Sequence, residues 1–201
     1  MRMKALISLL MVATVAVATE RIRFAPVSNS TIKITGTSTL HEWTVQSSTI
    51  NGAIDIAPEI AADPADAASW RSEKPALVSV KIPVTDIKSE HARMTNIMLD
   101  ALKAKSFPEI RYELLEAEPA TSTEDAFTVK TKGKLTIAGV TRDLQMNVTA
   151  VRSGRKQFVL IGDAPINMTD YGITPPVTML GALKTGDQVN VSFRWVVDRV
   201  Q

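Results

Sequence analysis

The chain contains no cysteine. That excludes a disulfide framework, a thiolate metal site and a lipid-modified N-terminal Cys. Histidine is nearly as scarce. His41 and His91 are the only two, and neither has a partner ligand at metal spacing. His41-Glu42 opens an H-E-x-x-H pattern, but position 45 is Val, so a zincin site is ruled out. The nine glycines form no nucleotide fingerprint, and Gly133-Lys134 stands outside any P-loop. Aromatic residues make up only 5 % of the chain, too few for the girdles of a membrane barrel. Beyond the first residues there is no long apolar run, so no further segment is predicted to span a bilayer.

The start of the chain reads as a targeting segment. Arg2 and Lys4 precede an uncharged, mostly apolar stretch that ends in Ala16-Val17-Ala18. This is the pattern of a secretory signal peptide, residues 1–18, with cleavage after Ala18. The expected mature domain is then residues 19–201, located in the periplasm or secreted. Of 23 basic residues, removal of Arg2 and Lys4 leaves 21, against 21 acidic ones. The mature charge is near zero, and nucleic acid is not an expected partner. About 180 residues can bury a core without staples.

What the chain does have is period-2 alternation. In residues 127–137, Phe127, Val129, Thr131, Gly133, Leu135 and Ile137 share one parity, and Lys130, Lys132 and Lys134 the other. Leu144, Met146, Val148 and Ala150 then alternate with Asp143, Gln145 and Asn147. A turn at residues 138–141 joins the two into a predicted antiparallel hairpin. Further strands are predicted at 31–39, at 43–45, around Ile50 to Ile56, at 78–84, 110–114 and 158–162, and from Val189 to Val197. Residues 19–28 read as a lead-in, 57–75 as an irregular excursion, 119–125 as a polar loop and 164–187 as a long connection. One helix is predicted over residues 90–104, with Met94, Ile97, Met98, Ala101 and Leu102 as its apolar stripe and Ser89 as N-cap. The predicted class is all-β with one helix, a sandwich or closed barrel of about eight strands whose polar face meets water.

Catalytic patterns are weak. Ser30-Thr31-Ile32-Lys33 and Lys184-Thr185-Gly186 match S-x-x-K and K-T-G, but the S-D-N element is absent and the Ser begins a strand. No nucleophile–base pair emerges, and the chain is not expected to be an enzyme or to need a cofactor or metal.

Several segments in order resemble the YceI-like family: Gly36-Thr37-Ser38-Thr39-Leu40-His41-Glu42-Trp43, Val80-Lys81-Ile82-Pro83-Val84, Ser106-Phe107-Pro108-Glu109-Ile110, Gly133 through Arg142, and Tyr171-Gly172-Ile173. The resemblance covers nearly all of the mature chain. It implies a lipocalin-like, extended antiparallel barrel, exported to the periplasm, whose cavity binds an isoprenoid or other long amphiphilic lipid. Burying each CH₂ of such a chain is worth about 0.8 kcal/mol. Parity then selects a candidate wall: Trp43, Val80, Ile82, Tyr112, Leu114, Phe127, Val129, Leu135, Met146, Val148, Phe158, Leu160, Val191, Phe193 and Trp195. Met94, Met98 and Leu102 of the helix, with Met168 and Tyr171 of the long connection, are expected to line or lid the mouth. His41 shares parity with Trp43 and is the candidate head-group contact. The expected assembly is a monomer or homodimer. The rival reading is a stress-response or interaction module with a filled core and no ligand. A lipid hydrolase or isomerase is a third class without a supporting motif.

Overall fold

The computed structural model describes residues 20–64, 66–71, 75–123, 125–154 and 156–200. The expected signal peptide lies outside the described residues.

Eleven strands form in chain order: β1 (Ile22–Pro26), β2 (Thr31–Ser38), β3 (Glu42–Ser47), β4 (Asn51–Ile56), β5 (Leu77–Pro83), β6 (Glu109–Ser122), β7 (Ala126–Ile137), β8 (Val140–Ser153), β9 (Gln157–Asn167), β10 (Val177–Thr178) and β11 (Leu183–Arg199). Every pairing is antiparallel. Eight strands close a ring in the order β1-β4-β5-β6-β7-β8-β9-β11, and β1 returns to β11. These pairings close the strands into a barrel. The seventeen-residue β11 is shared on one side. Its last residues pair with β1, while Thr185 to Arg194 pair with β2. The β2–β3 hairpin thus extends the wall, and Gln46 of β3 exchanges two backbone hydrogen bonds of 2.8 Å with Lys88.

The central hairpin follows its pattern. Ile137 pairs with Val140, and Ala138 and Gly139 take φ of 48° and 81°. Positive φ at both loop residues is the type I′ geometry that matches strand twist. The turn is thus two residues long, tighter than the predicted four. On the inner face Phe127 meets Ala150, Val129 meets Val148 and Thr131 meets Met146. Outward, Lys134 pairs with Asp143 and holds its carboxyl below the usual carboxylate range, by hydrogen bond first and by charge second.

Four segments depart from the pattern reading. The lead-in contains β1, which closes the barrel. The polar loop at 119–125 is mostly strand, since β6 continues to Ser122 with register shifts flanking positions 115 and 120. Such bulges admit Pro119 into a ladder and break the period that marks a strand. The long connection is shorter at both ends, because β9 runs to Asn167 and β11 begins at Leu183. The excursion forms two short helices, α1 (Pro58–Ala62) and α2 (Ala67–Trp70).

The predicted long helix is α3 (Ala92–Ala101). His91 rather than Ser89 is its N-cap. Ser89 instead accepts from the His91 N–H at 2.9 Å, forming a turn ahead of the helix. No residue of α3 is fully buried, and its stripe packs half-buried against the core.

Gly52 of β4 pairs with Val80 of β5. Its φ is 143°, and a Cβ there would lie 2.0 Å from the Ser79 carbonyl oxygen. Both main chains are fixed by the ladder, so neither side yields. Gly52→Ala is expected to cost about 2 kcal/mol of unfolding free energy from the backbone conformation and the clash. Urea unfolding reads this. A midpoint equal to the parent's would show that the ladder relaxes.

Candidate functional site

The inward parity of the barrel wall encloses a chamber. The chamber has a cavity volume of about 200 Å³. Nearly all the lining is hydrocarbon. Among the described residues, four of those lining it carry a polar N or O on the side chain: Trp70, Tyr112, Thr131 and Trp195. Three are satisfied. Trp70 Nε1 donates to the Pro64 carbonyl at 2.9 Å, Trp195 Nε1 to the Ile50 carbonyl at 3.3 Å, and Thr131 Oγ1 to the Met146 carbonyl at 3.0 Å. The fourth, the Tyr112 hydroxyl, is buried, and its polar neighbour is the Thr131 hydroxyl, whose oxygen can accept from it. Burial pushes its pKa up, and the nearby Thr131 hydroxyl offsets part of that rise.

One end of the chamber is aromatic. Phe127 packs edge-on to Phe158 at 6.0 Å, Phe158 edge-on to Phe24 at 5.5 Å, and Trp70 lies 6.4 Å from Phe127. Trp70, Ile60, Ala61 and Pro64 all come from the 57–75 excursion, so this segment forms part of the chamber wall. Arg152 covers the outside of the cluster, its guanidinium 5.3 Å from the Phe158 ring centre.

The wall is also incomplete on one side. β8 and β9 are paired from Val148–Gly162 to Ser153–Gln157, and beyond Val148 the ladder stops. In that region lies a polar groove lined by Lys134, Thr141, Arg142, Asp143, Asn167, Asp170, Tyr171 and Gln188. Leu144 and Ile166 line both groove and chamber, so the two spaces adjoin. In the groove, burial raises the Tyr171 pKa, Asp170 adds to the rise, and Arg142 opposes it.

Fourteen of the residues selected by parity line the chamber: Val80, Ile82, Tyr112, Leu114, Phe127, Val129, Leu135, Met146, Val148, Phe158, Leu160, Val191, Phe193 and Trp195. The remaining parity residue, Trp43, the five mouth candidates and His41 are not among its lining residues. Trp43 is half-buried. Its Nε1 donates to the Thr37 carbonyl at 3.0 Å, and its ring lies over Gly36, filling the gap that glycine leaves. Met94, Met98 and Leu102 pack against the core from α3 and its C-cap. A helical apolar stripe shows that one face is covered, not by what. Met168 and Tyr171 lie in the 3-10 turn after β9, and Tyr171 lines the groove instead. His41, the expected head-group contact, is exposed at the β2–β3 tip, with Nδ1 2.7 Å from the Glu42 carbonyl oxygen.

The lining residues that parity did not select include Phe24, Ile32, Ile54, Ile56, Ile60 and Trp70. Ile32, Ile54 and Ile56 were legible as inward strand positions. Phe24 and Trp70 stand in stretches without a period, so no local signal marks them.

Fold and cavity together define a lipocalin-like barrel closed around an apolar chamber, with a polar groove beside it. The chain belongs to the YceI-like domain family, whose model matches residues 17–197. No curated protein matches it by sequence. Similar solved structures include BcnA of Burkholderia cenocepacia, at 17 % identity and TM-score 0.65, covering 83 % of this chain and 95 % of that one. A second is a polyisoprenoid-binding domain from Saccharophagus degradans implicated in plant cell wall breakdown. It is 11 % identical with a TM-score of 0.66, covering 90 % and 100 %. A third is the YceI protein of Campylobacter jejuni, 21 % identical with a TM-score of 0.57, covering 78 % and 84 %. At these identities the structural likeness establishes the fold.

Proposed function

We propose that this protein is exported and binds one isoprenoid or other long amphiphilic lipid in the barrel chamber, for carriage, storage or sensing, without altering it chemically. The observation that carries the reading is a chamber whose wall is almost entirely hydrocarbon. An apolar space of this kind is not held open for water, which needs two to four polar partners. It gains about 0.8 kcal/mol for each CH₂ it buries. The adjoining groove, with Arg142, Asn167 and Gln188, offers hydrogen-bonding groups for a polar head while the chain lies inside. The Saccharophagus degradans domain of the same fold is described as polyisoprenoid-binding, which supports the ligand class. The apolar run before Ala18 supports export.

The test is native mass spectrometry of the full-length gene product recovered from the periplasmic fraction of a Gram-negative host. The expected species begins at Thr19 and carries one co-purifying lipid of defined mass, recovered by organic extraction. A clean apo mass, with no uptake of added prenyl quinones or polyprenols, would overturn lipid binding in favour of a filled-core interaction module. Retention in the cytoplasm with Met1 intact would overturn export.

A further inference from the structure

Exposed apolar side chains gather at one place on the surface. Among the described residues the three most exposed large hydrophobic side chains are Leu180, Leu40 and Val177, at 109 %, 70 % and 56 %. All three stand on two hairpins held side by side. Leu40 lies in the turn between β2 and β3, Leu180 in the turn between β10 and β11, and Val177 on β10 itself. The Thr39 N–H donates to the Lys184 carbonyl and Thr39 Oγ1 to the Ala182 carbonyl, both at 3.0 Å, and the Lys184 N–H donates back to Thr39 Oγ1 at 3.3 Å. Ser38 Oγ closes the first turn by donating to the His41 carbonyl at 2.8 Å and accepting from the Leu40 and His41 N–H groups. The apolar side chains are therefore presented by a braced double hairpin.

Nothing in the fold asks for Leu180. Its φ and ψ are 53° and 33°, the left-handed region that a Cβ disfavours and that glycine enters freely. Its full exposure leaves it no share in the core. Its surroundings point to hydrocarbon as the partner. Residues 34–40 and 171–183 carry no charged side chain, so the tip can enter a low-dielectric medium without stripping water from an ion. The flanking charges, Glu42 and Lys184, are of opposite sign and give no bias toward an anionic surface. Three side chains offer far less than the roughly 800 Å² per partner that a standard protein interface buries, whereas a bilayer needs no complementary surface. The tip also belongs to the end of the barrel that holds the polar groove. Gln188, on the same strand as Leu183, lines that groove. Asp187 accepts from the Thr169 N–H at 2.9 Å and from its hydroxyl at 2.7 Å, which ties β11 to the 3-10 turn carrying Tyr171.

We propose that this double-hairpin tip docks the protein on a lipid bilayer. Leu40, Val177 and Leu180 insert among the acyl chains and set the groove end of the barrel against the membrane that supplies or receives its lipid. The inference rests on the lipid-binding reading for its purpose. The attraction is apolar, so it needs no anionic lipid and survives salt.

Sedimentation of the purified protein with vesicles of phosphatidylcholine alone tests this. The wild type is expected to sediment with them equally at low and at molar salt. Leu180→Gly is expected to bind roughly tenfold less, and Leu40→Ser combined with Leu180→Gly roughly a hundredfold less. Leu180→Gly should hold or raise the urea midpoint, because glycine suits the left-handed backbone. With no cysteine in the chain, a polarity-sensitive dye on Leu180→Cys reports that site alone. Its emission is expected to shift to the blue when vesicles are added, and the same dye on Glu118→Cys, exposed on β6, is expected to stay unchanged. A wild type that does not sediment, binding unchanged in the double variant, or binding lost at molar salt would each overturn the docking. Self-association of the wild type that the double variant abolishes, with vesicles bound by neither, would overturn it in favour of a second copy as the occupant. A lowered urea midpoint in Leu180→Gly would show that the side chain packs, and would remove the premise. Native mass spectrometry of the same samples separates this from the reading beneath it. Lipid carried without vesicle binding sinks the docking alone. Vesicle binding by a protein that takes up no prenyl quinone or polyprenol supports the docking and sinks the chamber reading.

Discussion

Ala164→Trp is expected to abolish most lipid retention while leaving the barrel folded. Ala164 is 4 % exposed on β9, lines the chamber and pairs with Val191 of β11. An indole there projects into the open space and displaces part of any bound chain. Losing contact with about four methylenes, at about 0.8 kcal/mol each, removes about 3 kcal/mol, or roughly 200-fold in affinity. The added ring has free volume to enter, so the fold cost is at the low end of overpacking, about 1 kcal/mol. The variant should show the parent's far-UV circular dichroism and carry little or no lipid by mass. Undiminished lipid content would place the ligand elsewhere and remove the chamber from the functional account. Ala164→Val, which adds two methyl groups, is expected to keep most of the binding.

Trp195→Ala is expected to give a large loss of stability. The ring is 3 % exposed in the C-terminal half of β11, the strand that touches four others in the sheet. It packs within the core cluster, and its Nε1 donates to the Ile50 carbonyl just before β4. That bond ties β11 to the segment feeding β4, two strands away around the ring. Truncation removes the packing and leaves the carbonyl unsatisfied. The expected cost is about 3–5 kcal/mol, read as a lowered midpoint in urea unfolding. Trp195→Phe keeps most of the packing and should lose about 1 kcal/mol, the net worth of the hydrogen bond. If Trp195→Ala cost no more than Trp195→Phe, the ring would be a dispensable part of the wall. Lipid uptake is expected to persist in both, since truncation enlarges the chamber.

How far such positions are legible in the sequence depends on the residue. Phe127, Val129, Met146 and Val148 announce their side by alternation, because successive strand side chains must point to opposite faces. Trp195 was marked in the same way by the clean period of residues 189–197. The strand β1 was hidden by brevity, since five residues with Pro26 at the end give no countable period. The second half of β6 was hidden by its bulges, each of which shifts the alternation by one. Met94, Met98 and Leu102 were correctly placed on one helical face, yet periodicity holds no information about the partner surface. His41 shared parity with Trp43, but at a hairpin tip parity no longer implies burial, and its ring lies in solvent.

By itself the sequence determined an all-β chain of antiparallel strands with one helix of more than two turns and a wet outer face. Those properties follow from local rules, namely the two-residue period of strands, the 3.6-residue period of helices and the positive φ that the Ala138-Gly139 turn requires. Closure was a tertiary decision. β11 meets β1 across most of the chain length, and the pairing rests on which edges remain unsatisfied once every other strand is placed. The stop in the β8–β9 ladder, the aromatic cluster that gathers Phe24, Trp70, Phe127 and Phe158, and the Tyr112 ring seated over Gly133 belong to the same level. Each depends on groups that are distant in sequence and adjacent only in the folded barrel, so no local pattern could carry them.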